Sequence, residues 1–163
     1  MKQPPLPAHV VEAFWQRWGG GDFLRAQGLE LELAGEGRAI IHLREPRATQ
    51  RGGGGSDTVL NGGVIAYMFD GALGSSITTA SLARPEMREI DPLAYAQSTI
   101  NLDITYVRAA TGAHFAAHAK VVNAGRNVAF AEGELLDDQG RVCATAKGIW
   151  RIFWPRRAGG GTN

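Results

Sequence analysis

At 163 residues, with 44% hydrophobic and 20% charged side chains, the chain reads as one globular domain with room for a substantial core. A net charge of +1 without a block of like charges excludes a clustered basic face, and so argues against nucleic acid as the principal partner. The single cysteine, Cys143, excludes an internal disulfide framework and fits a reducing compartment.

The start, MKQPPLPAHVVEAFW, lacks the apolar core of a signal peptide, and no run approaches the ~20 apolar residues of a membrane span. The expectation is a cytoplasmic protein with no membrane partner. Val10, Val11, Phe14, Trp15 and Trp18 then form one helical stripe, which Gly19 to Gly21 end. LELELAGEGRAIIHLRE predicts two short strands around a turn at Gly35 to Gly37. ATQRGGGGSDT predicts a mobile surface loop leading into a helix from Gly62 to about Leu82. In TINLDITYVR, Ile100, Leu102, Ile104 and Tyr106 alternate with Thr99, Asn101, Asp103 and Thr105, the period of a strand. HFAAHAKVV, VAFAEGELL and RVCATAKGIWRIFW follow, joined by NAGRN and DDQG, so the second half reads as an antiparallel meander of up to four strands.

The order is helix, two strands, long helix, then strands. That is an α+β arrangement in which an antiparallel sheet wraps the long helix. Residues 1–21 form a lead and N-terminal helix, 22–155 a single domain, and 156–163 a disordered tail.

Along the long helix, Ile65, Met68, Phe69, Ala72, Leu73 and Ile77 mark the face that packs on the sheet. Asp70 lies off that face, in mid-helix, where its carboxylate competes for backbone donors. One reading is an ordinary solvent-facing acid. The other is a carboxylate in a cleft, acting as general base or nucleophile. Asn61, Gly62 and Gly63 at the helix start favour the second, because free N–H groups and the helix dipole stabilise developing negative charge there. Gly71 and Gly74 each cost about 1 kcal/mol in a helix interior relative to alanine, and leave room beside Asp70 for a ligand or another backbone.

From about Leu29 to Phe153 the chain resembles hotdog-fold acyl-CoA thioesterases of the PaaI-like (phenylacetate-pathway) group. The resemblance rests on LNGGVIAYMFD, TINLDITYVRAA, and NAGRN followed by DDQGRVCATA. It implies a hotdog fold and hydrolysis of an acyl-CoA substrate to free acid and CoA, with no metal and no organic cofactor. Asp70 falls on the catalytic acid, which activates water or attacks the thioester. Gly62 falls on the glycine whose N–H polarises the carbonyl, with Gly63 beside it, and Asn61 shapes the helix start. Arg126 falls where CoA phosphates are held, and Tyr67 contributes to an apolar substrate neighbourhood. The resemblance also implies a homodimer, or a homotetramer, with acid and oxyanion donor supplied by different subunits. Three positions depart from the family pattern: Asn61 stands where His is usual, Gly55 where Asn or Gln is usual, with Ser56 and Asp57 adjacent, and Gly74 where Ser or Thr is frequent, with Ser75 adjacent.

Two rival readings remain at this level: a non-catalytic acyl-CoA-binding or ligand-sensing hotdog protein, and a hotdog hydratase or dehydratase, which needs a His in the site. His114 and His118 share a strand face about 13 Å apart, too far for one metal. Cys143 has no neighbour that would favour a thiolate. RGGGGSD lacks the GK[ST] of a phosphate loop, and no G-x-S-x-G elbow is present. Trp150 and Trp154 read as core or interface packing.

Overall fold

A computed structural model describes residues 5–18, 22–89 and 94–154. Helix α1 (Ala8–Trp18) and the short α2 (Asp22–Ala26) precede strands β1 (Leu29–Leu33) and β2 (Arg38–Leu43). Helix α3 (Gly62–Leu82) follows, then β3 (Ala96–Tyr106), β4 (Phe115–Ala124), β5 (Val128–Asp137) and β6 (Val142–Phe153). The expected glycine stop at Gly19 to Gly21 and the tail from residue 156 lie outside the described residues.

Every neighbouring strand pair is antiparallel, in the order β1-β2-β4-β5-β6-β3. The expected meander therefore holds for β4, β5 and β6 only. Strand β3 does not pair with β4; it lies at the far edge against β6. The connection from Val107 to His114 carries the chain back across the sheet, which a two-residue hairpin would have forbidden.

The sheet wraps α3. Ile65, Met68, Phe69, Ala72, Leu73 and Ile77 are all buried against it, as their spacing demands. Cutting one of the larger of these side chains to alanine costs about 2–5 kcal/mol. The glycines of α3 are filled by protein. An added Cβ at Gly71 would meet Ile41 Cδ1 at 2.6 Å, and one at Gly74 would meet the Gln97 amide at 3.2 Å and the Trp150 indole at 3.5 Å. The space beside Asp70 thus serves close helix–sheet packing, not a ligand. On α1, Val10 and Phe14 are buried, while Trp15 stays at the exposed margin, edge-on to Phe14.

The loop before α3 is pinned. Gly52 N–H donates to Ser56 O, Gly53 N–H to Val59 O, and Arg51 reaches Thr58 O at 2.6 Å and Gly112 O at 2.9 Å. Gly53 has no room for a side chain, since a Cβ would lie 2.6 Å from Leu60 O. The four glycines therefore build a hydrogen-bonded turn that delivers the chain to the helix start.

Strand β3 corrects the simple alternation. A bulge between Thr99 and Asn101 adds one residue, so the face changes parity there. Gln97 and Thr99 before the bulge, and Leu102, Ile104 and Tyr106 after it, all turn toward α3. Ile100, expected among the inward residues, is 58% exposed.

Candidate active site

At the start of α3, Asn61 is the N-cap, with extended backbone (φ −65°, ψ 135°), and its Oδ1 accepts from Gly63 N–H at 2.8 Å. Its own N–H donates to Gln50 O at 2.8 Å, and its carbonyl accepts from Val64 and Ile65. These bonds account for the first-turn donors except one. Among the described residues, Gly62 N–H has no partner, and at a helix N-terminus it points toward any incoming negative charge. Gly63, expected to assist, has its donor satisfied by Asn61. Asn61, at the position where the resemblance expects histidine, is thus a helix cap.

Asp70 lies two turns further along and is half-buried. Thr99 Oγ1 donates to its Oδ1 at 2.7 Å, and Oδ2 has no hydrogen-bond partner among the described residues. Tyr67, one turn back, is half-buried against the core, and burial together with the Asp70 charge holds its hydroxyl above the ordinary tyrosine pKa. It stays protonated beside the carboxylate.

Two residues that the sequence pattern did not single out complete the arrangement, and both come from β3. One is Thr99. The other is Tyr106, whose hydroxyl donates to Gly62 O at 2.9 Å and whose ring lies 3.4 Å from where a Gly62 Cβ would stand. Thr99 and Tyr106 are seven residues apart, an interval that puts side chains on opposite faces of a regular strand. Only the bulge lets them share one, and nothing in the residue pattern announces it.

The structure does not bring Arg126 to this place. The turn that carries it is tied to the far end of α3: Arg84, just beyond that helix, donates to Ala124 O and Gly125 O, and Trp154 Nε1 donates to Arg126 O. From Gly62 to the helix end at Leu82, two residues before Arg84, is about 30 Å of helix. Gly55 is exposed with open space around its Cα, Ser56 Oγ bonds Thr58, and Asp57 is exposed.

Elsewhere, Cys143 is fully buried, and burial with the nearby Asp137 charge raises its thiol pKa. Trp150 is in the core, while Trp154 packs edge-on against Tyr95 and under Arg84. His114 precedes β4 and His118 lies within it, and burial together with the His42 ring lowers the His118 pKa. Among the described residues no three His, Cys, Asp or Glu side chains are grouped to hold a metal ion, and no helix is long and apolar enough to cross a membrane. Grooves of about 660 and 560 Å³ lie on the outer sheet face and beside Arg84, and neither is lined by Asn61, Gly62, Tyr67 or Asp70.

Comparisons with known proteins agree with this architecture. A family profile described as Thioesterase superfamily matches residues 57–144, the span from the loop before α3 into β6. The protein named medium/long-chain acyl-CoA thioesterase YigI from Salmonella typhimurium is 32% identical over 133 residues, covering 80% of this chain and 84% of that one. Its namesake from Escherichia coli K12 is 31% identical over 134 residues, with the same coverage. Among solved structures, a thioesterase family protein from Silicibacter pomeroyi superposes with a TM-score of 0.73 at 18% identity, covering 90% of this chain and 99% of that chain. The E. coli PaaI protein of the phenylacetic acid degradation operon gives 0.68 at 17% identity, covering 89% and 96%. The fold is the hotdog fold, and the chain belongs to the thioesterase superfamily of hydrolases.

Proposed function

We propose that the protein hydrolyses medium- to long-chain acyl-CoA thioesters to the free acid and CoA, in an active site shared between two copies of the chain. The observation that carries the reading is the Gly62 N–H, unpartnered among the described residues at a helix start, together with a half-buried, threonine-held Asp70 on the same helix. The acyl class comes from the names of the YigI relatives, and half-buried Tyr67 offers apolar surface one turn from Asp70; Met68 and Phe69, expected beside it, are in the core.

The helix itself argues for two copies. Gly62 and Asp70 are eight residues apart, which is about 12 Å along the axis. A carbonyl oxygen about 3 Å from the Gly62 N–H therefore lies out of reach of water or attack directed by Asp70 of the same chain. A second copy brings its Asp70 to the first copy's Gly62. Edge strand β3 is the natural seam: among the described residues its outer side has no strand neighbour, and Ile100 and Tyr106 on it, with Val107 just beyond, are more than half exposed. The reading is thus of a homodimer, or a tetramer built from dimers.

In the reaction, the Gly62 N–H binds the thioester oxygen as it becomes an oxyanion, helped by the α3 dipole. Asp70 acts through Oδ2, since Thr99 occupies Oδ1. As base, it takes a proton from water; the hydroxide bonds to the acyl carbon, the C–S bond breaks, and the proton passes to the CoA thiolate. As nucleophile, it forms an acyl-aspartyl anhydride with loss of CoA, and water then cleaves that anhydride. Arg126 is assigned to the CoA phosphates, a role that the partner's arrangement must make compatible with its place at the far end of α3. The site works with protein groups alone.

The experiment is thiol release from octanoyl-, decanoyl-, palmitoyl- and phenylacetyl-CoA, with Asp70→Asn as control. Turnover of the aliphatic esters that falls about 10²- to 10⁴-fold in the variant is expected. Saturable binding without turnover would favour the non-catalytic reading instead.

A further inference from the structure

We infer that Tyr106 is a positioning residue for the oxyanion donor, holding the first turn of α3 so that the Gly62 N–H keeps its aim. This inference rests on the reading of Gly62 as that donor.

A glycine pair at a helix start is a soft element, because glycine populates more backbone conformations than any other residue. Here the peptide plane joining Gly62 to Gly63 is gripped at both ends. Its N–H, on Gly63, donates to Asn61 Oδ1 at 2.8 Å. Its carbonyl, on Gly62, accepts from the Tyr106 hydroxyl at 2.9 Å. The first grip is local and belongs to the helix cap. The second comes from 44 residues away, on the edge strand. With the plane on one side of the Gly62 Cα gripped, and on the other side the Asn61 carbonyl, coplanar with the Gly62 N–H, accepting from Val64 and Ile65, the direction of that N–H is set.

The ring adds a second restraint. It stands 3.4 Å from the position of a Gly62 Cβ, in van der Waals range of the backbone. Tyr106 is 53% exposed in the single chain, on the edge strand proposed as the seam between two copies. The hydroxyl of this exposed aromatic residue is spent on the backbone of one glycine, the donor's own residue.

The bulge on β3 makes this possible. It places Tyr106 on the same face as Thr99, so one strand holds both halves of the catalytic apparatus, Thr99 on the carboxylate and Tyr106 on the donor. In a shared site these two contacts serve two different acyl groups at once.

The test is steady-state kinetics with decanoyl-CoA for Tyr106→Phe, Gly62→Ala and Gly62→Pro, and for Tyr106→Phe combined with Gly62→Pro. Phenylalanine keeps the ring and removes the hydroxyl. Proline at the first helical position removes the N–H while suiting the fixed φ of a helix start, and Asn61 already has the extended backbone that precedes proline. Alanine is the steric control. Tyr106→Phe is expected to lower kcat about three- to tenfold with KM changed less than about twofold, and to add nothing once Gly62→Pro has removed the donor. An unchanged kcat for Tyr106→Phe, a change confined to KM, or an equal loss in both backgrounds would overturn the inference while leaving the Gly62 reading in place. Equal kcat for Gly62→Pro and Gly62→Ala would overturn both.

Discussion

Thr99 on the edge strand donates its hydroxyl to Asp70 Oδ1 at 2.7 Å, and so leaves Oδ2 as the carboxylate oxygen with no hydrogen-bond partner among the described residues. A hydrogen bond to a charged acceptor contributes about 1.5–3 kcal/mol, more than a neutral one. Thr99→Val keeps the shape of the side chain and removes the donor. Its kcat with decanoyl-CoA is expected to fall about 10- to 100-fold, with the melting temperature lowered by no more than about 10 °C. A kcat within about twofold of the parent would remove Thr99 from the mechanism.

Strand β3 shows where residue patterns stop being informative. The inward face of α3, the β1–β2 turn and the β4–β5–β6 meander follow from spacing and turn residues, because local chemistry dictates them. The place of β3 beside β6 and its bulge do not. Both are set by long-range pairing, and a one-residue bulge leaves the alternation of Ile100, Leu102, Ile104 and Tyr106 intact while moving Ile100 outward and Thr99 inward. The candidate site divides in the same way. Asp70 and Gly62 were legible because each is an unusual residue for its place in a helix. Thr99 and Tyr106 were not, since threonine and tyrosine are ordinary strand residues.

The exposed edge of β3 yields a prediction about assembly. Ile100→Lys puts a charge at the centre of the proposed seam without touching the core, since Ile100 is 58% exposed in the single chain. Light scattering on a sizing column is expected to show the parent as a dimer or larger and this variant as a monomer, with activity reduced about 100-fold. An unaltered assembly state would place the seam elsewhere.

Gly71 tests the helix–sheet packing. Alanine at half-buried Gly71 gains about 1 kcal/mol in helix propensity but drives a methyl to 2.6 Å from Cδ1 of the fully buried Ile41. Overpacking costs about 1–3 kcal/mol, so Gly71→Ala is expected to destabilise by about 1 kcal/mol net in urea unfolding. In an Ile41→Val background, which deletes the clashing methyl, the same change is expected to stabilise. Equal effects in the two backgrounds would contradict the contact.

Asp137, buried at the β5–β6 turn, yields a pH dependence. Burial alone raises its pKa, but hydrogen bonds from the Arg141 backbone, the Arg141 guanidinium and the Gln139 backbone outweigh it and hold the carboxyl below its ordinary value. A folded-state pKa below the unfolded one stabilises the fold above the unfolded value, and that contribution disappears as pH falls through the folded value. The stability difference between the parent and Asp137→Asn is therefore expected to be constant from neutral pH to about pH 5 and to shrink below about pH 4. A difference that grows on acidification would contradict the assignment.

The shared active site is tested most directly by complementation. Asp70→Asn and Gly62→Pro chains, each strongly impaired alone, are co-expressed with different tags, and the doubly tagged dimers are isolated and assayed with decanoyl-CoA. Each such dimer unites an intact Gly62 N–H from one copy with an intact Asp70 from the other at one of its two sites. About half the parental activity per dimer is expected. Mixed dimers as inactive as the single variants would contradict a site built from two chains.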